Sequence, residues 1–506
     1  MGEFGGEPPT RENMSRLLAH DHKVKVAGVD GDGILRGKIM DKDKFLSSLD
    51  DGFGFSSVLY GWDIQDVLFA VDAKATSVQE GYGDFNAIPD TSSFRRIPWE
   101  DNIPLFLLRF EINKAPVPAD GRSIIRSLCE KIGLQGYKSM AGVEMEFMNF
   151  QTPSEDGYDD LGSRRNIAAY LLKNAPNSLR NLTSGVFSYS LTRPMANKDY
   201  FHQIFDRSVE FRTNIEGWHT EYGPGVFEAA LKVSEIDEMA DRVTLFKLLV
   251  KSLGVEYNIT PCFMAKPVYG LAGNSGHIHI SLVDREGKNA FARKTPDPDA
   301  RWKDIAEVSD IGRYFLAGLL TAIPDLMPLF APTINSYKRL VENYWAPTSL
   351  GWGLEDRNTS IRLIAPPVSK PGATRFEVRI PGADLHPHYA LSALLGAGWR
   401  GVEKKLDIPF PPAALRKEKS PPLPNSLDTA VARFKAPESI AREIFPDAFV
   451  DLYAASREHE VRLYKEAVTD WYDFPAYPQK AHGEACRNLA NSNDYCREFK
   501  RYIETV

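Results

Sequence analysis

Three short segments far apart in the chain share one pattern, in which apolar residues alternate with ionisable ones. Glu144 and Glu146 lie in AGVEMEF, His277 and His279 in SGHIHISL, and Glu377 and Arg379 in RFEVRI. Side chains two apart on a β-strand leave the same face, so each segment is a strand with one greasy and one ionisable side. Taken singly, such a strand fits the solvated outer face of a sheet. Glu221 and Glu228 add a second theme. They flank a turn, EYGPGVFE, whose Gly-Pro-Gly lets the chain reverse and aim both carboxylates at one locus. If Glu144, Glu146, Glu221, Glu228 and Glu377 converge, they repel and take up protons unless cations neutralise them. Oxygen donors with one imidazole suit magnesium or manganese better than zinc, and two ions would account for the set.

Arginines recur beside these segments: Arg339 in NSYKRL, Arg357 and Arg362 in EDRNTSIR, Arg375 and Arg379 in TRFEVR. Guanidinium groups grip carboxylates and phosphates through paired donors, so a carboxylate–metal centre facing them is suited to phosphoryl transfer near an acidic substrate. Singly, each is more often a surface or structural ion-pair partner.

The remaining text bounds the setting. With 506 residues the chain has room for two or more domains, and a net charge of −7 marks neither a nucleic-acid nor a membrane-surface binder. The four cysteines, Cys129, Cys262, Cys486 and Cys496, form no CxxC pair, which suits thiols in a reducing compartment. The acidic, glycine-rich start lacks the features of a secretory signal, and runs such as Phe315 to Ile323 are too short to cross a bilayer, so a cytoplasmic protein is expected. KVKVAGVDGDGILRGKIM predicts a hairpin, PLFLLRFEI a buried strand, and Asn113 to Gly121 a link. The expected division is a tail over 1–22, a small β-rich domain over 23–115 and a larger domain mixing helices and strands over 116–506. Ser234 with Asp237 reads as a capping box opening a helix that Gly254 closes, and Pro324 as the stop of a helix beginning near Asp310. Leu427 to Trp471 reads as a helical layer.

From about Val24 to Trp471 the chain resembles the glutamine synthetase family, type I-like. The motifs that carry this are GVEMEF, EYGPGVFE, KPVYGLAGNSGHIHISL, NSYKRL, DRNTSIR and RFEVRIP, with Tyr60–Trp62, Pro89–Asp90 and Pro98–Trp99 in the first part. The resemblance implies an α+β fold, with a small β-grasp domain ahead of a catalytic domain whose antiparallel sheet lines the site, and a double-ring homo-oligomer. It implies that Glu146, Glu221 and Glu228 hold one Mg2+ or Mn2+ ion and Glu144, His277 and Glu377 another. Arg339 and Arg379 would engage glutamate and the transferred phosphate, with Gly273 beside the glutamate. His279, Ser281, Arg357, Arg362 and Arg375 would serve ATP.

Two departures bear on the acceptor. Where ammonia-using members carry an aspartate in DGSS this chain has Gly54, and where they carry a glutamate before Ala-Pro it has Trp345. Ammonium loses both anionic partners, whereas an indole suits an alkyl or aryl amine. Val226, Ala272 and Ser275 also depart from the pattern. The expectation is an ATP-dependent ligase joining the γ-carboxylate of glutamate to an amine through an acyl phosphate, similar to γ-glutamyl polyamine or monoamine synthetases. Alternatives are glutamine synthesis from ammonia, with Glu342 as substitute carboxylate, and a silent ring-forming scaffold.

Overall fold

The computed structural model describes residues 8–69, 82–158, 165–342, 344–467 and 501–503; Trp471, Cys486, Cys496 and the first seven residues lie outside them. The expected hairpin is present. β1 (Lys23–Val29) and β2 (Leu35–Asp41) pair antiparallel with Lys23 opposite Asp41, and Gly33 at φ +85° turns the chain between them. β3 (Phe53–Ser56), β4 (Asp84–Ile97) and β5 (Ile103–Ile112) complete a sheet in the order β2-β1-β5-β4-β3, with β1 and β5 parallel. The stretch expected as a link contributes to the sheet instead: Ala115–Pro116 pairs with the end of β5 as β6. Phe45, Phe85, Phe94, Phe106 and Phe110 fill the core of this layer.

A second sheet carries the ionisable strands. β7 (Lys138–Gln151) is central, flanked on one side by β9 (Val226–Glu235) and β8 (Ile215–Thr220), and on the other by β11 (Gly276–Val283). β14 (Arg375–Val378), β13 (Ile361–Ile364) and β12 (Trp352–Leu354) continue past β11, and β10 (Ile259–Cys262) pairs separately with β7. The apolar face, including Val143, Met145, Phe147, Phe227, Ile278, Ile280 and Phe376, joins one core with the helices Ile236–Tyr257, Asp310–Phe330 and Pro387–Lys404. Burial of this face is what holds the opposite face in place.

Three local expectations are corrected. Pro324 does not stop its helix, which runs through Pro324 and Pro328 to Phe330; most of its residues are buried, and that apolar burial outweighs the roughly 3 kcal/mol of each interior proline. Ser234 does not cap the next helix: Glu235 stands at the N-cap with no side-chain bond, and the Ser234 hydroxyl donates to the Glu235 carbonyl. Gly254 lies inside that helix, which closes at Asn258 in the left-handed conformation; a Cβ at 254 would stand 2.6 Å from the Ile259 carbonyl oxygen, so glycine serves a close approach. Leu427–Phe434, Ala441–Ile444 and Asp447–Glu466 are helical as expected. Among the described residues no helix is long and apolar enough to cross a membrane.

Candidate active site

Strand register assembles the site. His219 on β8 lies opposite Glu228 on β9, and Glu228 opposite Glu146 on β7. Two residues earlier on β7, Glu144 lies opposite His277 on β11; His279 lies opposite Glu377 on β14, which lies opposite Arg362 on β13. Antiparallel partners share a face, so pairing alone lines these ionisable groups across one side of the sheet.

Their contacts form two clusters. Around Glu144, His277 Nδ1 lies 3.1 Å from one carboxylate oxygen and His279 Nε2 3.0 Å from the other. Glu377 lies 3.6 Å from His277 Nδ1 and is held by Arg362 at 2.9 Å and by Arg379. Glu144, His279 and Glu377 each offer a ligand atom within 4.8 Å of the others. The second cluster, His219, Glu221 and Glu228, meets the same spacing. Glu146 stands beside it, accepting from Ser275 N at 2.6 Å. Each group thus contains a histidine that the resemblance did not assign to it, His279 in one and His219 in the other, while His277 touches both carboxylates of its own.

The electrostatics of the two differ. Burial alone would raise Glu144, but hydrogen bonds from His277 and His279 hold it well below the ordinary carboxylate range. Glu377 is held down against burial by His277 and Arg379. Glu228 goes the other way: burial and the charges of Glu146, Glu144, Glu221 and Glu377 push it up to about 9. Burial and Glu146 likewise raise Glu221, whose buried Oε2 has no hydrogen-bond partner, and His277 Nε2 is similarly orphaned. Crowded carboxylates that retain a proton, with buried acceptors unmet, fit divalent cations.

Arg339 is buried beside them at the end of the helix Ile334–Arg339. It donates to the Ile380 and Arg379 carbonyls at 2.8 and 3.2 Å and to Ser275 Oγ at 3.0 Å. Burial, reinforced by Arg379 and opposed by Glu146, pushes it down to about 10. Gly273 makes room for it, since a Cβ there would run into the Ala265 carbonyl and stand 2.8 Å from Arg339 Cγ. Arg375 Nε donates to His279 Nδ1 at 3.1 Å, Arg362 also pairs with Glu355, Ser281 lies further along β11, and Arg357 is exposed.

Gly54 and the turn after Arg339 stand apart from the clusters. Gly54 is on the edge strand β3, where the Asp84 carboxylate occupies the space its Cβ would take. Trp345 sits in the left-handed region at φ 59° and is 79% exposed, while its neighbour Tyr344 packs under Lys266 Nζ, 4.0 Å from the ring centre. A bulky residue held at positive φ is costly by about 1–2 kcal/mol, so the turn dictates where this indole points. Glu342 is exposed.

Two residues were missed. His219 sits two positions before Glu221, the same dyad spacing as the other strands, and could have been found by it. Tyr189, at positive φ, packs against His219 with ring centres 4.4 Å apart and planes tilted by 49°, and nothing local in the sequence announces this.

Comparison with known proteins agrees with this fold. The pattern of the glutamine synthetase catalytic domain matches residues 118–475. Type-1 glutamine synthetase 2 of Dictyostelium discoideum is 38% identical over 88% of this chain and 82% of its own. The glutamate–isopropylamine ligase of a Pseudomonas species is 31% identical over 88% and 93%. The gamma-glutamylethanolamide synthetase of Streptomyces coelicolor is 30% identical over 88% and 91%. Among solved structures, GmaS in complex with ADP superposes with a TM-score of 0.73 at 23% identity, covering 90% of this chain and 97% of that one. The α+β fold and carboxylate-lined sheet are those of a carbon–nitrogen ligase. The chain belongs to the glutamine synthetase family, whose enzymes act on small molecules and use ATP and divalent metal ions.

Proposed function

We propose that this ligase joins the γ-carboxylate of glutamate to a primary organic amine, with conversion of ATP to ADP and phosphate. A γ-carboxylate oxygen attacks the terminal phosphorus of ATP, ADP leaves, and the acyl phosphate formed is attacked by the uncharged amine nitrogen. Phosphate departs with the C–O electron pair, and the nitrogen loses a proton to give the amide. Glu146, Glu221 and Glu228, with His219, and Glu144, Glu377 and the histidines His277 and His279 would hold the Mg2+ or Mn2+ ions, which neutralise charge on phosphoryl oxygens when bound. Arg339 and Arg379 orient glutamate and the transferred group; Arg357, Arg362 and Arg375, with Ser281, face the nucleotide.

The observation that carries the choice of acceptor is Trp345. The turn leaving Arg339 projects an exposed indole at the chain position where, by the resemblance, ammonia-using members carry a glutamate, and such a surface suits an alkyl or aryl amine. Two of the relatives bear names of enzymes that join glutamate to amines. Exposed Leu172, Phe187 and Leu191 support self-association into a ring, and a cytoplasmic setting is part of the same reading.

Ammonia is the second reading. It is favoured by the 38%-identical relative named a glutamine synthetase and by Asp84, whose carboxylate fills the place over Gly54. Phosphate release with ATP, glutamate and magnesium, measured against ammonium and a panel of amines, separates the two. Turnover with at least one amine well above that with ammonium is expected; robust turnover with ammonium and none with any amine defeats the proposal.

A further inference from the structure

Residue 266 holds the chain on both sides of Arg339. Ahead of the arginine, the Asn335 side chain closes a reciprocal pair with the Lys266 backbone. Its Oδ1 accepts from Lys266 N at 2.8 Å, and its Nδ2 donates to the Lys266 carbonyl at 3.1 Å. Beyond the arginine, Lys266 Nζ lies over the ring of Tyr344, 4.0 Å from its centre, and donates to the Leu271 carbonyl. The Tyr344 hydroxyl in turn makes a long bond of 3.4 Å to the Gly270 carbonyl. Trp345 follows directly.

Lys266 is only 8% exposed, and among the described residues no carboxylate pairs with it. Burial, with Arg339 adding to it, pushes its ammonium down to about 8, so the group is still mostly charged at pH 7. A cation taken out of water without a counter-ion is costly, and what meets this one is a carbonyl and the face of an aromatic ring. One residue therefore fixes both ends of a short span. Its backbone seats the helix that ends at Arg339, and its side chain seats the turn that carries Trp345.

We infer that Lys266 and Tyr344 are positioning residues that set the acceptor turn relative to Arg339, so that their contact governs acceptor binding and leaves glutamate binding alone. The inference rests on the reading that the acceptor meets the turn bearing Trp345, whatever substituent its nitrogen carries. The division follows from which part of residue 266 makes each contact. A substituted side chain leaves the backbone pair with Asn335, and with it the seat of the Arg339 helix, in place. The same substitution frees Tyr344. Trp345, next to it at φ 59°, then loses the neighbour that keeps it in a region which a bulky residue occupies only when its surroundings impose it.

The test is steady-state kinetics of the full-length protein with ATP, glutamate and the acceptor that the parent uses best, ammonium included. Tyr344→Leu removes the ring and leaves every charge in place. It should raise the acceptor KM at least fivefold, while the KM values for glutamate and ATP stay within twofold. Tyr344→Phe keeps the ring under Lys266 and should stay within twofold of the parent throughout. Lys266→Met should raise the acceptor KM as much as Tyr344→Leu does, and the double variant no further, because both remove one contact. Should Lys266→Met fail to fold, the two Tyr344 variants decide. An unchanged acceptor KM in Tyr344→Leu, an equal rise in all three KM values, a defect as large in Tyr344→Phe, or effects that multiply in the double variant each overturn the inference. A parent that uses ammonium and no amine defeats the proposed acceptor but leaves this test standing, since the same shift is then read on ammonium; a parent with no turnover overturns both.

Discussion

Cation binding should expel a proton, and Glu228 says how much. Without a cation its carboxyl is pushed up to about 9 by burial and by Glu146, Glu144, Glu221 and Glu377, so at pH 7 it is almost wholly protonated. A divalent ion needs the carboxylate. Two pH units of displacement at about 1.4 kcal/mol each mean that ionising Glu228 at pH 7 subtracts about 2.7 kcal/mol from the apparent affinity. Affinity for Mn2+ at the Glu228 cluster should therefore tighten roughly tenfold per pH unit between pH 6 and 8, with release of about one proton. The sign follows from the raised value: the empty protein holds the extra proton above the ordinary carboxylate range, and the loaded one does not. Calorimetry in buffers of different ionisation enthalpy counts the protons. Glu228→Gln imitates the protonated acid, so it should keep the fold, bind Mn2+ more weakly and release almost none. Affinity that is flat from pH 6 to 8, or release unchanged in Glu228→Gln, would refute the reasoning.

Other perturbations probe other parts of the molecule. Trp345→Glu places an anion on the exposed turn and should shift relative kcat/KM towards ammonium by tenfold or more; an unchanged acceptor profile separates the indole from specificity. Gly273→Ala drives a methyl into the Ala265 carbonyl and against Arg339, so turnover should fall at least a hundredfold and the urea midpoint should fall with it, whereas near-parental activity would mean that Arg339 has room to move. Arg122 is buried and donates to Asp241 and Asp90 at 2.8 Å, tying the first sheet to the helix Ile236–Tyr257. Arg122→Met removes the guanidinium the two buried carboxylates share, leaving Asp90 with Arg126 and Asp241 with His388, and should remove about 3 kcal/mol of stability at pH 7. Arg122 holds both carboxyls below the ordinary range against burial, so the parent keeps that contribution above about pH 4 and loses it on further acidification. The variant should lose less stability than the parent on acidification below about pH 4, and a denaturation profile parallel to the parent's would exclude the network as its source.

What could be read without coordinates follows from how local each signal is. The dyads at Glu144, His277 and Glu377 announced strands because alternation is a property of a few adjacent residues, and burial of the apolar positions then forced the ionisable ones onto a common face. His219 carried the same spacing relative to Glu221 but sat next to a turn whose Gly-Pro-Gly explained the glutamates without it. Pro324 misled because a backbone rule was applied where apolar burial on nearly every side decides. The Asp84 carboxylate over Gly54, and the bonds from Thr333 and Ser336 of the Arg339 helix to Asp384, depend on strand pairing and on contacts between segments far apart in sequence, which no local pattern encodes. The carboxylate-lined face is thus written in short motifs, whereas the features that would discriminate acceptors arise from pairings between them. An exchange of motif residues should therefore change whether the reaction runs, and an exchange of a residue such as Asp84 should change which amine is used.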